Sequence, residues 1–378
     1  MTAAVWWEPE ASDGAARTGI LHTPHGDVPT PAFMPVGTRG VVRALGSDDL
    51  EALGVDILLA NTYHLMLRPG AEVVAALGGL HAMMGWTGPV LTDSGGYQVF
   101  SLDPEVSEEG VRFRSSYDGT TFGLNPEAAV AVQEALGADI AMALDVLVGL
   151  PAPRERVAAA MEQTVRWAQR SIWARRRDDR ALFGIVQGGT DAELRVRSAD
   201  ATAALGFDGY GIGGLAVGES VAERNAAIET VVAALPAAAP RYVMGLGDTE
   251  GLFDAVARGA DLFDCVIPTR LARHGKVLHP DGDYSIKLVR WAVSTEPLQQ
   301  ECGCTTCGRY SRGYLRHLFA TREITGPRLV TIHNLHYTLT LMKTMRRAIR
   351  TGQFAATHTA MVKRRRRNRV SSGEPAAT

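Results

Sequence analysis

Eight short apolar runs recur along the chain, and nearly all stop on a glycine or on a polar residue with useful chemistry. In order, the stops are Val36-Gly37, Ala60-Asn61, Thr92-Asp93, Leu144-Asp145, Val186-Gln187, Ile212-Gly213, Met244-Gly245 and Phe263-Asp264. Helix-like stretches separate most of them. Strands alternating with helical segments read as βαβ units on a parallel sheet. Eight such units predict an α/β fold, a closed (β/α)8 TIM barrel, whose reacting residues lie at the C-terminal ends of different strands. Three aspartates and a glutamine then ring one mouth, so the pattern reads first as an enzyme.

Pro35 interrupts the first strand, Phe33–Val36, which makes it the least regular of the eight. Ser47-Asp-Asp-Leu50 reads as a capped helix start, followed by a strand over Asp56–Ala60. Residues 97–125 form a long stretch between the third and fourth strands. Its Asp118-Gly119 pair predicts a β-hairpin inserted at the mouth. Helices are expected over Pro126–Leu136, with Asn125 as its cap, and over Arg154–Arg177, Asp191–Leu205, Ser220–Leu235 and Thr249–Arg258. His333–Thr351 carries Leu335, Leu339, Met342, Met345 and Ile349 at helical spacing, a stripe suited to packing. The expected organisation is a catalytic barrel over 1–264, a zinc-binding subdomain with a closing helix over 265–351, and a flexible basic tail over 352–378.

A net charge of −2 excludes a uniformly basic nucleic-acid binder, yet Lys363–Arg369 holds six basic residues in seven. Such a block is either a solvated tail or an arm that contacts phosphates. The first residues lack a basic start and an apolar core, so no signal peptide is read there. No run approaches the roughly 18 apolar residues a membrane span needs. The expectation is a cytoplasmic protein with no membrane partner, where clustered cysteines bind metal rather than form disulfides.

Cys302-Gly-Cys304-Thr-Thr-Cys307 places three thiols within six residues. Three thiolates and one imidazole complete a closed tetrahedral site, which predicts one structural Zn2+ per chain. His317, His333 and His336 are the candidates for the fourth ligand, and His333 is favoured as opening a helix. Cys265, outside the cluster, reads as a packed thiol beside the active site.

Asp93, in Leu91-Thr-Asp-Ser-Gly-Gly-Tyr-Gln98, and Asp264, in Asp261-Leu-Phe-Asp-Cys-Val-Ile-Pro-Thr-Arg270, suit displacement at an anomeric carbon. One carboxylate can attack while the other handles protons. Asp145 and Gln187 suit a different task. A carboxylate accepts two hydrogen bonds, as the N–H edge of a guanine-like base offers, and an amide both donates and accepts. Gly213-Gly214-Leu215 would present backbone N–H groups to a base carbonyl, and Tyr97 or Met244 could sandwich the ring.

Together, Thr92–Gln98, Phe183–Gly188, Gly213–Glu219, Tyr242–Gly245, Phe263–Arg270 and the cysteine cluster with His333 resemble bacterial-type tRNA-guanine transglycosylases, also called queuine tRNA-ribosyltransferases. The resemblance spans roughly residues 20–350. It implies exchange of guanine at the wobble position of tRNAs with a G-U-N anticodon for a 7-deazaguanine, through a covalent enzyme–RNA intermediate. Carried onto this chain, Asp264 is the nucleophile and Asp93 the general acid/base. Asp93, Ser94, Tyr97, Asp145, Gln187, Gly213, Gly214, Leu215 and Met244 would bind the base. Arg270 and Arg273 would contact RNA, and Cys302, Cys304, Cys307 and His333 would hold zinc. The family also implies a homodimer.

Two positions bear on the incoming base. Leu147 stands where bacterial members usually carry a cysteine, whereas Val217 matches their form. The second favours 7-aminomethyl-7-deazaguanine over queuine. The competing readings are a retaining glycosidase or nucleoside hydrolase, which leaves the zinc module unexplained, and a non-catalytic tRNA-binding family member, which would lack Asp264.

Overall fold

The chain, described by a computed structural model over residues 4–372, begins with an antiparallel sheet of β1 (Trp6–Asp13), β2 (Ala16–Thr23) and β3 (Gly26–Thr30). It continues into β4 (Ala32–Gly37), β5 (Leu58–Ala60) and β6 (Val90–Thr92). A small antiparallel sheet follows, β7 (Glu105–Val106), β8 (Val111–Arg114) and β9 (Thr121–Leu124). Five more strands complete the series: β10 (Ile140–Met142), β11 (Ala181–Val186), β12 (Gly209–Ile212), β13 (Arg241–Val243) and β14 (Leu262–Cys265). Strands β4–β6 and β10–β14 close into a parallel barrel, with β14 paired to β4 and β6 to β10.

Barrel strands are covered by helices outside and by packed side chains inside, so they read as continuous apolar runs. In β4, β5, β6, β11, β12 and β13 every residue is buried. Four of the eight predicted stops coincide with the observed strand ends, and β4 runs one residue further, through Gly37. β10 and β13 end slightly earlier, and Asp264 lies inside β14 rather than after it. The barrel interior needs glycine on β12. A Cβ at Gly209 would sit 2.4 Å from the Phe183 ring, and one at Gly211 would sit 2.8 Å from Met142.

The β1–β3 sheet is absent from the sequence reading of residues 1–264, and it forms the barrel floor. Trp7, Leu21 and Val28 pack in one cluster with Met34, Ile140 and Leu262. Trp7 donates its indole N–H to Thr30 Oγ1 at 2.9 Å. From β2, Arg17 forks onto Asp261 at the start of β14, with Nε–Oδ1 2.8 Å and Nη2–Oδ2 2.5 Å. Asp261 is fully buried, and burial raises its pKa against the pull of Arg17. Elsewhere on the floor, His25 and His81 face different oxygens of Asp139 at 2.5 and 3.2 Å. Their rings stack at 3.6 Å and 15°, and the ligand atoms of the three residues lie within 4.8 Å of one another. The trio works as a clasp.

The inserted segment contains the expected hairpin, β8–β9, turning at Asp118-Gly119, with β7 as a third strand. Asn125 caps the Pro126–Leu136 helix by accepting from Ala128 N at 2.8 Å. The helix at Ser47–Leu53 starts on its expected cap, so the observed cap lies one residue earlier. Gly46 is the N-cap, and Ser47 donates instead to the Met84 carbonyl at 2.8 Å.

The expected 333–351 helix runs over Thr325–Arg350, so His333 sits within it rather than opening it. The segment read as a flexible tail is helical over Phe354–Ser372, and residues 373–378 lie outside the described residues. Its inner stripe is Phe354, His358, Met361 and Arg365. Phe354 and Met361 join the outer barrel core, His358 stacks on Phe253, and Arg365 is buried. No helix among the described residues is long and apolar enough to cross a membrane.

The Arg17 clasp carries a direct expectation. Arg17→Met should cost about 3–5 kcal/mol at neutral pH, because it strands a buried carboxylate. The loss should shrink as pH falls and Asp261 takes up a proton. Chemical denaturation at several pH values measures both effects.

Candidate active site and metal centre

The C-terminal strand ends open into a cavity of 460 Å³. Asp93, Asp145 and Asp264 line it together with Ser94, Tyr97, Gly213, Gly214, Leu215, Met244 and Arg270. Nearly all the predicted base-binding residues therefore meet in one place. Gln187 is set behind the wall. It is 4% exposed, donates Nε2 to Asp145 Oδ2 at 2.6 Å, and its amide lies against the Gly213-Gly214 backbone. A Cβ at Gly214, whose φ is +67°, would come 2.2 Å from Gln187 Oε1. Arg273 is half-buried on the Ile267–Arg273 helix beyond the cavity, where burial and then the charges of Arg43 and Arg270 lower its pKa.

Asp264 is held by one oxygen. Its Oδ1 accepts from the Tyr242 hydroxyl at 2.6 Å and from Gly245 N–H at 2.7 Å. Oδ2 accepts no hydrogen bond from any described residue. Burial raises the pKa of Asp264, and the two donors on Oδ1 hold it back. The carboxylate is thus fixed in orientation with one oxygen free to react.

Asp93 is held by both oxygens. Asn61 Nδ2 donates to Oδ2 at 2.5 Å, and Thr62 N–H donates to Oδ1 at 2.8 Å. Burial pushes its pKa up to about 6; these donors oppose the shift, and the nearby charge of Asp264 adds to it. A carboxyl group poised there can give or take a proton near neutral pH. Asp145 accepts from Ser94 Oγ at 3.2 Å and from Gln187, and burial raises its pKa as well.

Sequence reasoning missed several residues that set this geometry. Asn61 was visible as a strand-end stop, but nothing linked it to Asp93. Tyr242 lay inside an apolar strand. Arg195 gave no signal, because a helix position flanked by Glu193 and Arg197 reads as a solvated face. It is fully buried, donating to the carbonyls of Gly189, Val186 and Gly213 at 2.7–2.9 Å. It thereby ties the loop after β11 to the loop after β12. Glu219 completes that second loop by accepting from Ala216 N–H and Val217 N–H.

The three thiols and His333 also converge. His333 Nδ1 lies 3.6, 3.7 and 3.3 Å from the sulfurs of Cys302, Cys304 and Cys307. All four ligand atoms lie within 4.8 Å of one another, a cluster that could hold a metal ion. His333 Nε2 faces the Leu278 carbonyl at 3.0 Å, which fixes the ring and leaves Nδ1 as the ligating nitrogen. His336 stays outside the cluster.

Three outcomes are expected. Asp264→Asn removes a neighbouring negative charge, so Asp93 should titrate below about 6 in that variant; a carboxyl-resolved infrared or 13C titration reads this. Because the folded pKa of Asp93 is raised, its ionisation costs stability in full above about 6, and the cost is relieved as pH falls from there to the ordinary 3.8. Cys304→Ser should reduce the bound metal measured by elemental analysis and lower the melting temperature.

Comparison with known proteins agrees with this geometry. The family model described as Queuine tRNA-ribosyltransferase matches residues 12–367. A queuine tRNA-ribosyltransferase of Moorella thermoacetica is 52% identical over 340 residues, covering 89% of this chain and 91% of that protein. One from Thermus thermophilus is 51% identical over 347 residues, covering 91% and 90%. One from Symbiobacterium thermophilum is 49% identical over 366 residues, covering 96% and 92%. The chain belongs to the queuine tRNA-ribosyltransferase family.

Proposed function

We propose that this protein is a tRNA-guanine transglycosylase that replaces the wobble guanine of G-U-N tRNAs by double displacement. The carrying observation is Asp264, with one oxygen clamped and the other free, in the same cavity as Asp93. Asp264 Oδ2 attacks the ribose C1′, the C1′–N9 bond breaks, and the RNA is held as an ester on Asp264. The departing guanine takes up a proton. The incoming base then attacks C1′ through N9, releasing the Asp264 carboxylate and giving up its N9 proton. Asp93, with its pKa near 6, supplies the first proton and collects the second.

Asp145, oriented by Ser94 and Gln187, accepts from the N–H edge of the base, and the Gly213-Gly214-Leu215 backbone faces its carbonyl. Tyr97, 61% exposed at the mouth, and Met244 on the wall flank the ring. Leu147 lines the cavity, and Val217 helps hold the adjacent loop through Leu150 N–H. On Val217 the incoming base is 7-aminomethyl-7-deazaguanine rather than queuine.

The metal is zinc. Zn–S bonds of about 2.3 Å and a Zn–N bond of about 2.0 Å at a tetrahedral centre place sulfur and nitrogen about 3.5 Å apart. The observed separations bracket that value. With four protein ligands the site is closed, so its role is structural. Arg270 at the cavity rim, with Arg273 behind it, supplies charge for RNA phosphates. The substrate places the reaction in the cytoplasm, and the working unit is a homodimer.

Incubation with radiolabelled guanine and unmodified G-U-N tRNA should transfer label into RNA, with 7-aminomethyl-7-deazaguanine competing better than queuine. Asp264→Asn should abolish the covalent adduct on denaturing gels. Release of free guanine without incorporation would favour the hydrolase reading instead.

A further inference from the structure

The basic run near the C-terminus lies on a docked helix, and its placement is specific. The Phe354–Ser372 helix starts low on the barrel, where Phe354 N–H donates to Asp13 of β1 at 2.8 Å. It then passes Phe253 and Asp254, stacking His358 on the first and pairing it with the second at 3.2 Å. Arg365 reaches Glu250 at 3.4 Å. The neighbouring helix, Thr249–Val256, begins just past β13, so Glu250 belongs to the mouth end. The C-terminal helix therefore climbs the outside of the barrel from floor to mouth, and its basic block arrives at the rim.

Arg365 anchors that block. It also reaches Asp283 at 3.2 Å and donates to the His279 carbonyl at 2.7 Å, in the segment following the Ile267–Arg273 helix. Arg364 is taken by Asp281. At 3.6 residues per turn, Lys363, Arg366 and Arg367 fall within an arc of about 100° on the side opposite Arg365. All three are exposed, and no carboxylate among the described residues lies in ion-pair range of them. Arg367 is felt by Asp281, which Arg364 already occupies. Three like charges on adjacent turns repel one another, so the arrangement does nothing for the helix itself. The helix dipole offers little compensation, because its effect is confined to the last turn, and the helix continues to Ser372.

We infer that the outer face of this helix, carrying Lys363, Arg366 and Arg367, is a docking surface for the phosphate backbone of the tRNA whose base enters the mouth. The inference rests on the tRNA reading above. The surface neutralises phosphates and reads no sequence, extending the cationic rim begun by Arg270.

The test is fluorescence anisotropy with end-labelled unmodified G-U-N tRNA over a salt series, comparing the natural chain with K363Q/R366Q/R367Q. Each lost phosphate contact removes about 0.9 from the slope of log affinity against log salt, so the variant's slope should be shallower by about 2 to 3. From a common affinity near 1 M salt, that slope difference raises its Kd near 0.1 M about 100- to 1,000-fold. The charge-preserving K363R/R366K/R367K should keep the natural slope. Equal Kd and slope for the natural chain and the glutamine variant would overturn the docking surface. So would loss of affinity in the charge-preserving variant. Guanine exchange by the natural chain, run in parallel, separates the two readings: exchange with an unaltered glutamine variant sinks only this surface, and no exchange sinks the activity as well.

Discussion

Eight parallel strands hydrogen-bonded into a ring leave no sheet edge, and every loop leaving a strand's C-terminal end emerges on the same face. Ring neighbours then become neighbours at the mouth, and each mouth carboxylate is held from the adjacent strand. Asn61, after β5, reaches Asp93, after β6. Gln187, after β11, reaches Asp145, beyond β10. Tyr242, on β13, reaches Asp264, on β14. Strand register sets all three contacts, so the site inherits its precision from the barrel and not from the loops. Arg195 applies the same logic one layer back, bonding to carbonyls from the ends of β11 and β12.

The two ends of the barrel treat the same side chain in opposite ways. At the floor, Asp261 is forked by Arg17, and Asp139 has two histidines. At the mouth, the donors to Asp93, Asp145 and Asp264 among the described residues are neutral: two side-chain amides, two hydroxyls and two backbone N–H groups. A cation in contact opposes the upward push of burial, as Arg17 does at Asp261 and as the two histidines do at Asp139, whose pKa falls. Neutral donors fix a carboxylate's direction while burial raises its affinity for a proton, and all three mouth aspartates shift upward. Asp261 and Asp264 make the contrast at opposite ends of one strand region, the first serving stability and the second available for chemistry.

Much of this was legible in the sequence because a parallel barrel writes itself as runs with stops. The run gives the buried strand and the stop gives the mouth residue, so Asp93, Asp145 and Asp264 could be placed around one opening before any contact was known. The three thiols were legible for a local reason, since their spacing alone confines them to one loop. The β1–β3 sheet escaped because its outer strands bury so little, β1 only Trp7 and β3 only Val28 and Thr30. Trp7, Leu21 and Val28 are scattered among exposed Glu8, Pro9 and Asp27, and the cover for the buried face comes from the barrel. Arg195 escaped because a guanidinium earns burial only by facing carbonyls, and those belong to loops outside its own helix.

The C-terminal helix shows the same limit most sharply. Its stripe, Phe354, His358, Met361 and Arg365, has the 4-3-4 spacing of a packing face, yet two of the four members are ionisable. Hydropathy reads such a segment as solvated. What makes His358 and Arg365 inner residues is Asp254, Glu250 and Asp283, on elements that the barrel and the adjoining subdomain bring alongside. A buried ionic stripe is therefore a tertiary fact with no local signature. Because that stripe consumes Arg365, with Arg364 taken beside it, the remaining cations are forced to the outer face, where no carboxylate among the described residues lies in ion-pair range of them.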